Sequence, residues 1–268
     1  MITPPRAAAG PIYNDMQKKL CLVLLPVLLA ACSETRNEQT TAPAATTYTL
    51  VFMDKTRSIS PDDPFVKTRY ASAFKSLTDE NIRMEGDMLE VYYIHENTSK
   101  ARALSVRSRT AKEPADGLSP TDREAAENAY TLSIQKERQL ICQALMQKFM
   151  ESNPSSSNAE TNIGGAVPVM AAALAEHREV KVWFFSDMIE SMRSGRDFHR
   201  QPPHSHEQAR AWALEDAARY TGQSLAGARV SMVLPFPPNS SSKVNNPNVT
   251  AYWKAFFEEL GAGKVTEE

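Results

Sequence analysis

Three segments of this chain are apolar at nearly every position: YTLVFMD (48–54), VKVWFFSD (180–187) and ARVSMVLPF (228–236). A strand with one solvated face alternates apolar and polar residues, so runs this continuous predict inner strands covered on both sides. Between them the period changes. Helices are predicted over 62–80, where a proline and two aspartates open the segment, and over 120–151, where Tyr130, Ile134, Ile141, Leu145 and Phe149 recur at helical spacing. Further helices fit 164–177, 206–221 and 249–260. MLEVYYIHENTSKARALSVRSR (88–109) holds two alternating runs about a polar turn, which predicts a hairpin with one antiparallel strand at a sheet edge. ESNPSSSNAET (151–161) reads as a loop, no internal repeat is present, and the tail within GAGKVTEE (261–268) carries no motif. Strands alternating with helices predict an α/β fold over 48–262: doubly wound, with a mostly parallel central sheet, one antiparallel edge strand and helices on both faces. Residues 263–268 are expected to be a tail.

Upstream of the first strand the pattern is of another kind. Lys18 and Lys19 precede an apolar run from Leu20 to Ala31, followed by Cys32. Charged, then apolar, then small is the order of a secretory signal, and the run is too short to span a bilayer as a helix. LAAC (29–32) resembles the lipobox of bacterial lipoproteins. That resemblance implies a signal peptide over 16–31, cleavage before Cys32, and acyl chains, palmitate among them, on Cys32. Several chains hold a protein on a membrane where one does not. Ser33 follows Cys32 where an aspartate would imply inner-membrane retention, so the outer membrane, with the domain facing the periplasm, is the expected location. Residues 1–15 fit no signal peptide, and translation is expected to start at Met16. Residues 32–47 read as a lipidated polar tether, able to extend about 50 Å.

Composition narrows the partners. The net charge is −2 and 42% of residues are hydrophobic, which fits one globular domain with appendages and excludes a nucleic-acid-coating protein. With Cys21 removed and Cys32 lipidated, Cys142 alone is left in the mature chain, so no intrachain disulfide framework exists. Cys142 falls on a predicted helix, where a cysteine is most often a small core residue.

Candidate chemistry comes from three separated segments. The first strand runs into Asp54-Lys55-Thr56-Arg57-Ser58; Thr161 precedes a glycine-containing helix start; Asp187 ends another strand. In an open α/β sheet, ligands bind beyond the carboxyl ends of strands where the strand order reverses, and Asp54 and Asp187 meet there if their strands are neighbours. Each hydroxyl by itself also fits a turn or a helix cap, Thr161 above all as an N-cap. Taken together, Asp54, Thr56 and Ser58, then Thr161, then Asp187 resemble the metal-ion-dependent adhesion site (MIDAS) of the von Willebrand factor A-like family, with threonine in place of the middle serine. The resemblance covers residues 48 to 260. It implies a divalent cation, Mg²⁺ or Mn²⁺, with Thr56, Ser58 and Thr161 as inner-sphere oxygens and Asp54 and Asp187 supplying charge directly or through water. It also implies a protein ligand bound through an acidic side chain. Mg²⁺ suits such a set, because it commonly takes one or two carboxylates and completes its octahedron with neutral oxygens.

The neighbouring residues give weaker signals. Lys55 and Arg57 alternate with the site residues and are expected to point outwards. His199, His204, His206 and Glu207 cluster in sequence, but their spacing matches no zinc pattern and two prolines mark a surface loop. Enzymatic readings lack their parts: Thr56 stands where a phosphatase of the haloacid dehalogenase kind needs a second aspartate, no Gly-x-Ser-x-Gly elbow is present, and NIGGAV lacks the lysine of a phosphate loop. A non-enzymatic binding protein is the expected class. A metal-free scaffold with a degenerate site, or a membrane-anchored metal-dependent phosphatase, is the alternative.

Overall fold

The computed structural model describes residues 45–268 apart from 154, 155, 157 and 238. The leader 1–15, the signal segment 16–31, Cys32 and the tether as far as residue 44 lie outside the described residues. The elements in order are β1 (Thr47–Asp54), α1 (Pro64–Asn81), β2 (Met88–Ile94), β3 (Arg102–Arg107), α2 (Pro120–Met150), α3 (Val167–Glu176), β4 (Glu179–Phe185), α4 (His206–Ala217), β5 (Arg229–Val233), α5 (Pro247–Glu259) and β6 (Lys264–Glu267). The sheet order is β3-β2-β1-β4-β5-β6. All neighbours are parallel except β2 and β3, the hairpin at one edge.

The apolar runs are inner strands for the reason their pattern indicates. Alternate residues of β1 enter opposite cores: Leu50 and Phe52 pack with α3, α4 and α5, whereas Val51 and Met53 pack with α1 and α2. The helix starts are chemically marked. Asp63 caps α1 by accepting from the Phe65 and Val66 main-chain N–H groups, and Pro64 opens its first turn. Ser119 caps α2 and Asn246 caps α5 in the same way.

Four expectations are corrected. The supposed tail contains β6, which pairs in parallel with β5 and buries Val265. A four-residue strand with one inward apolar residue has too little pattern to stand out, and the unpaired edge of β5 calls it into register. The first strand begins one residue earlier than expected, at Thr47. The third apolar run stops pairing at Val233, two residues before Pro235, which has no N–H to donate. β4 ends at Phe185, so Asp187 sits in the turn beyond the strand.

Candidate functional site

β1 and β4 are neighbours at the centre of the sheet, with Met53 opposite Phe185. Connections leave β1 toward β2 on one side and β4 toward β5 on the other, so the order reverses between them. This crevice is where a doubly wound sheet exposes main-chain ends with no crossover above them. Asp54 closes β1, and Asp187 follows β4 by two residues.

The turn after β1 wraps around the Asp54 carboxylate. Its Oδ1 accepts from the Thr56 N–H at 2.8 Å and from the Thr56 hydroxyl at 2.5 Å. The Thr56 and Ser58 hydroxyls are 3.1 Å apart. Ser58 in turn donates to Asp187, whose Oδ1 also accepts the Ile189 N–H at 3.0 Å. Four of the five expected residues are therefore joined in one chain of hydrogen bonds. Thr161 is buried and is carried to the loop beyond β4 by its main chain, which pairs in both directions with Ser191 at 3.0 Å. It is not the helix cap that its position suggested: the residue before α3 is Ala166, with no side-chain cap.

Two carboxylates buried side by side are electrostatically costly. Asp54 is 2% exposed and Asp187 6%, and neither makes an ion pair among the described residues. Burial first, and then the charge of Asp187, push Asp54 up to about 7, against the hydrogen bonds of Ser186 and Thr56, which favour the ionised form. Burial likewise raises Asp187, opposed by the Ile189 N–H and the Ser58 hydroxyl. Lys55, expected to face outwards, makes no ion pair with either carboxylate, although the charge of Asp54 favours its ammonium form. Its Nζ turns inward and donates to the carbonyls of Phe149 (2.7 Å) and Glu151 (2.6 Å), capping the end of α2, and lies 5.0 Å from the Tyr93 ring centre. Those carbonyls replace only part of the hydration it loses, and burial lowers its pKa to about 8. Arg57 is exposed, as expected.

Two polar residues that matter here were not singled out in the sequence. Ser186 donates to Asp54 Oδ2 at 2.7 Å and accepts the Met188 N–H at 2.9 Å. The signal was present, since a serine directly after an apolar strand that neighbours β1 stands beside the end of β1. Met188 takes a φ of 61°, the left-handed region that costs a side-chain-bearing residue about 1–2 kcal/mol. Trp253 of α5 holds it there by donating Nε1–H to the Met188 carbonyl at 2.7 Å. Glu190 is the second residue. It is buried and accepts the Ile163 N–H at 2.6 Å and the Gly164 N–H, fixing the segment between Thr161 and α3. No sequence signal marks it. His199, His204 and His206 are exposed, and no group of three or more His, Cys, Asp or Glu side chains placed to hold a metal exists among the described residues. The crevice thus presents two carboxylates and the hydroxyls of Thr56 and Ser58, all oxygen donors.

The strand order and the reversal point define a doubly wound, mostly parallel α/β domain, with the Asp-x-Thr-x-Ser turn at its crevice. Solved structures similar to the chain include a von Willebrand factor type A protein from Catenulispora acidiphila, 13% identical, with a TM-score of 0.32 over 84% of this chain and 39% of that one. Proximal thread matrix protein 1 from the mussel byssus is similar in two structures, at 13% and 14% identity and TM-scores of 0.28 and 0.29. Each covers 84% of this chain and 42% of that one, and the second has zinc in its MIDAS motif. The chain thus spans about two fifths of the length of these neighbours. No protein-family model matches it, and no curated protein matches it.

Proposed function

We propose that this domain is a non-enzymatic binding module that engages a protein ligand through a divalent cation held at the β1/β4 crevice. The observation that carries the reading is the buried Asp54/Asp187 pair, linked through the Thr56 and Ser58 hydroxyls and without an ion-paired cation among the described residues. Thr56, Ser58 and Thr161 would hold the ion with neutral oxygens, and Asp54 and Asp187 would balance its charge. The ion would supply positive charge to that pair and an exchangeable position for an acidic side chain of the partner. Ser186 positions Asp54, and Trp253 and Glu190 hold the loops on which Asp187 and Thr161 stand. Acylation of Cys32 would tether the module to a bacterial membrane, which the intact mass of the envelope-bound protein tests: an unmodified Cys32 in a soluble mature form would sink that part.

Thermal melting in Mg²⁺, Mn²⁺ or chelator tests the cation. An ion bound only by the native state stabilises it by mass action, by about 2–3 kcal/mol at a hundred times the dissociation constant. The expected result is a melting point raised by either ion in the native chain and unmoved by them in Asp54→Asn and Asp187→Ala. No heat on titration and no stabilisation up to millimolar ion would overturn the cation mechanism and favour a metal-free scaffold. Turnover of a generic phosphate ester in metal, lost in Asp54→Asn, would favour the phosphatase reading instead.

A further inference from the structure

On the α1 side of the sheet, Trp183, Phe185 and Val233 are buried, but the amino-terminal ends of β4, β5 and β6 are only partly covered. Alternate residues there face a cleft of about 550 Å³ walled by α1. Register places Lys181 opposite Arg229, and Arg229 opposite Lys264, so three adjacent strands present three cations in one lateral row. The next row is Trp183, Ser231 and Thr266. On the other side of the same strands Val182, Val230 and Val265 are buried in the core against α3, α4 and α5. Like charges directly opposite one another destabilise a sheet, so such a row is a local cost to folding. Lys181 is answered by Asn81, 2.8 Å from its Nζ, and by Glu179 at 3.6 Å. Arg229 and Lys264 are exposed and make no ion pair among the described residues.

The cleft already shows the chemistry it accepts. The Glu268 side chain turns into it, its Oε1 accepting from the Ser231 hydroxyl at 3.1 Å and the Thr266 hydroxyl at 3.0 Å. Arg69 of α1 donates to the Glu268 carbonyl. A carboxylate on the hydroxyl row, one step from the cationic row, is the arrangement an acidic peptide would reproduce. β6 is also the sheet edge, so the cleft opens on a strand with one unpaired side where an extended segment can add its main chain.

We propose that this cleft is a docking site for an extended, acidic segment of a partner protein, whose carboxylates face Arg229 and Lys264 while its backbone runs beside β6. A concave, hydroxyl-lined cleft with the Trp183 ring in its floor suits a peptide rather than a membrane surface, which meets convex basic faces. The site is separate from the β1/β4 crevice and does not depend on its cation.

Fluorescence anisotropy of the full chain with a labelled ten-residue peptide of alternating Glu and Thr, at low salt and in chelator, tests it. The peptide is expected to bind, an alternating Lys and Thr peptide is not, and added Mg²⁺ should leave the affinity unchanged. Arg229→Glu with Lys264→Glu should weaken binding at least tenfold, and Arg229→Ala with Lys264→Ala by less. Lys136→Glu with Lys254→Glu, equal in net charge but on exposed faces of α2 and α5, should stay within twofold of the native chain. Failure of the native chain to bind the Glu-Thr peptide overturns the proposal, as does an equal loss in the Lys136 and Lys254 control. A strict need for Mg²⁺ would move the peptide to the crevice and overturn it too. So would binding to vesicles one third phosphatidylglycerol that depends on Arg229 and Lys264 when the peptide does not bind.

Discussion

Replacing Glu190 by glutamine should remove a defined part of the pH dependence of folding. Burial, reinforced by the charge of Asp216, pushes the Glu190 carboxyl from its ordinary 4.5 up to about 8, and the N–H groups of Ile163 and Gly164 only partly oppose this. A folded-state pKa above the unfolded value means that the native protein binds the proton more tightly. The resulting stability is complete below about pH 4.5 and is lost as pH rises through about 8. Between pH 6 and pH 9 the loss from this one group is about 2–3 kcal/mol, taking about 1.4 kcal/mol per unit over the range where the two states differ in protonation. Glutamine keeps an acceptor for the Ile163 N–H and does not titrate, so any packing cost it brings is the same at both pH values. Urea unfolding of the native chain and Glu190→Gln at pH 6 and pH 9, in chelator, gives the comparison. Groups common to both, Asp54 and Asp187 included, cancel in the difference. The native chain should lose about 2–3 kcal/mol more than the variant over that interval. Parallel losses, agreeing within about half a kcal/mol, would refute the reasoning and leave Glu190 ionised in the fold.

Lys55→Met should lower stability by about 1–2 kcal/mol, because the Phe149 and Glu151 carbonyls lose a charged donor. Its Mg²⁺-induced shift in melting should persist, since Lys55 points away from the crevice; loss of that shift would contradict the inward placement. Gly164→Ala should cost about 1–3 kcal/mol, because a Cβ there would collide with the Tyr220 hydroxyl. Gly164→Ala combined with Tyr220→Phe should recover most of the loss, and chemical denaturation of the two variants reads both outcomes.

Much of this fold is legible because one physical requirement writes itself into sequence. A strand buried on two faces has no polar residue to spare, so 48–54 and 180–187 declare themselves, and Asp63-Pro64 marks the start of α1 by cap chemistry. The Asp54, Thr56, Ser58 set was legible for a related reason: an aspartate closing such a strand must have its carboxylate answered locally, and the Thr56 hydroxyl does so with Ser58 beside it. Other features are set by long-range neighbours. β6 exists because β5 has a free edge, and nothing within Lys264–Glu267 requires it. Lys55 turns inward because the end of α2, far along the chain, presents two unpaired carbonyls. Glu190 and Ser186 acquire roles only when the loop beyond β4 meets Ile163 and Asp54. The cationic row of Lys181, Arg229 and Lys264 is invisible along a chain in which those residues stand tens of positions apart. Sequence by itself determined which segments are buried and where the oxygen-rich turns fall, because burial and turn chemistry act between near neighbours. The tertiary structure decided which of those turns meet, which charges are left uncompensated and which part of a sheet face is only partly covered, because register and helix placement are properties of the whole packed sheet.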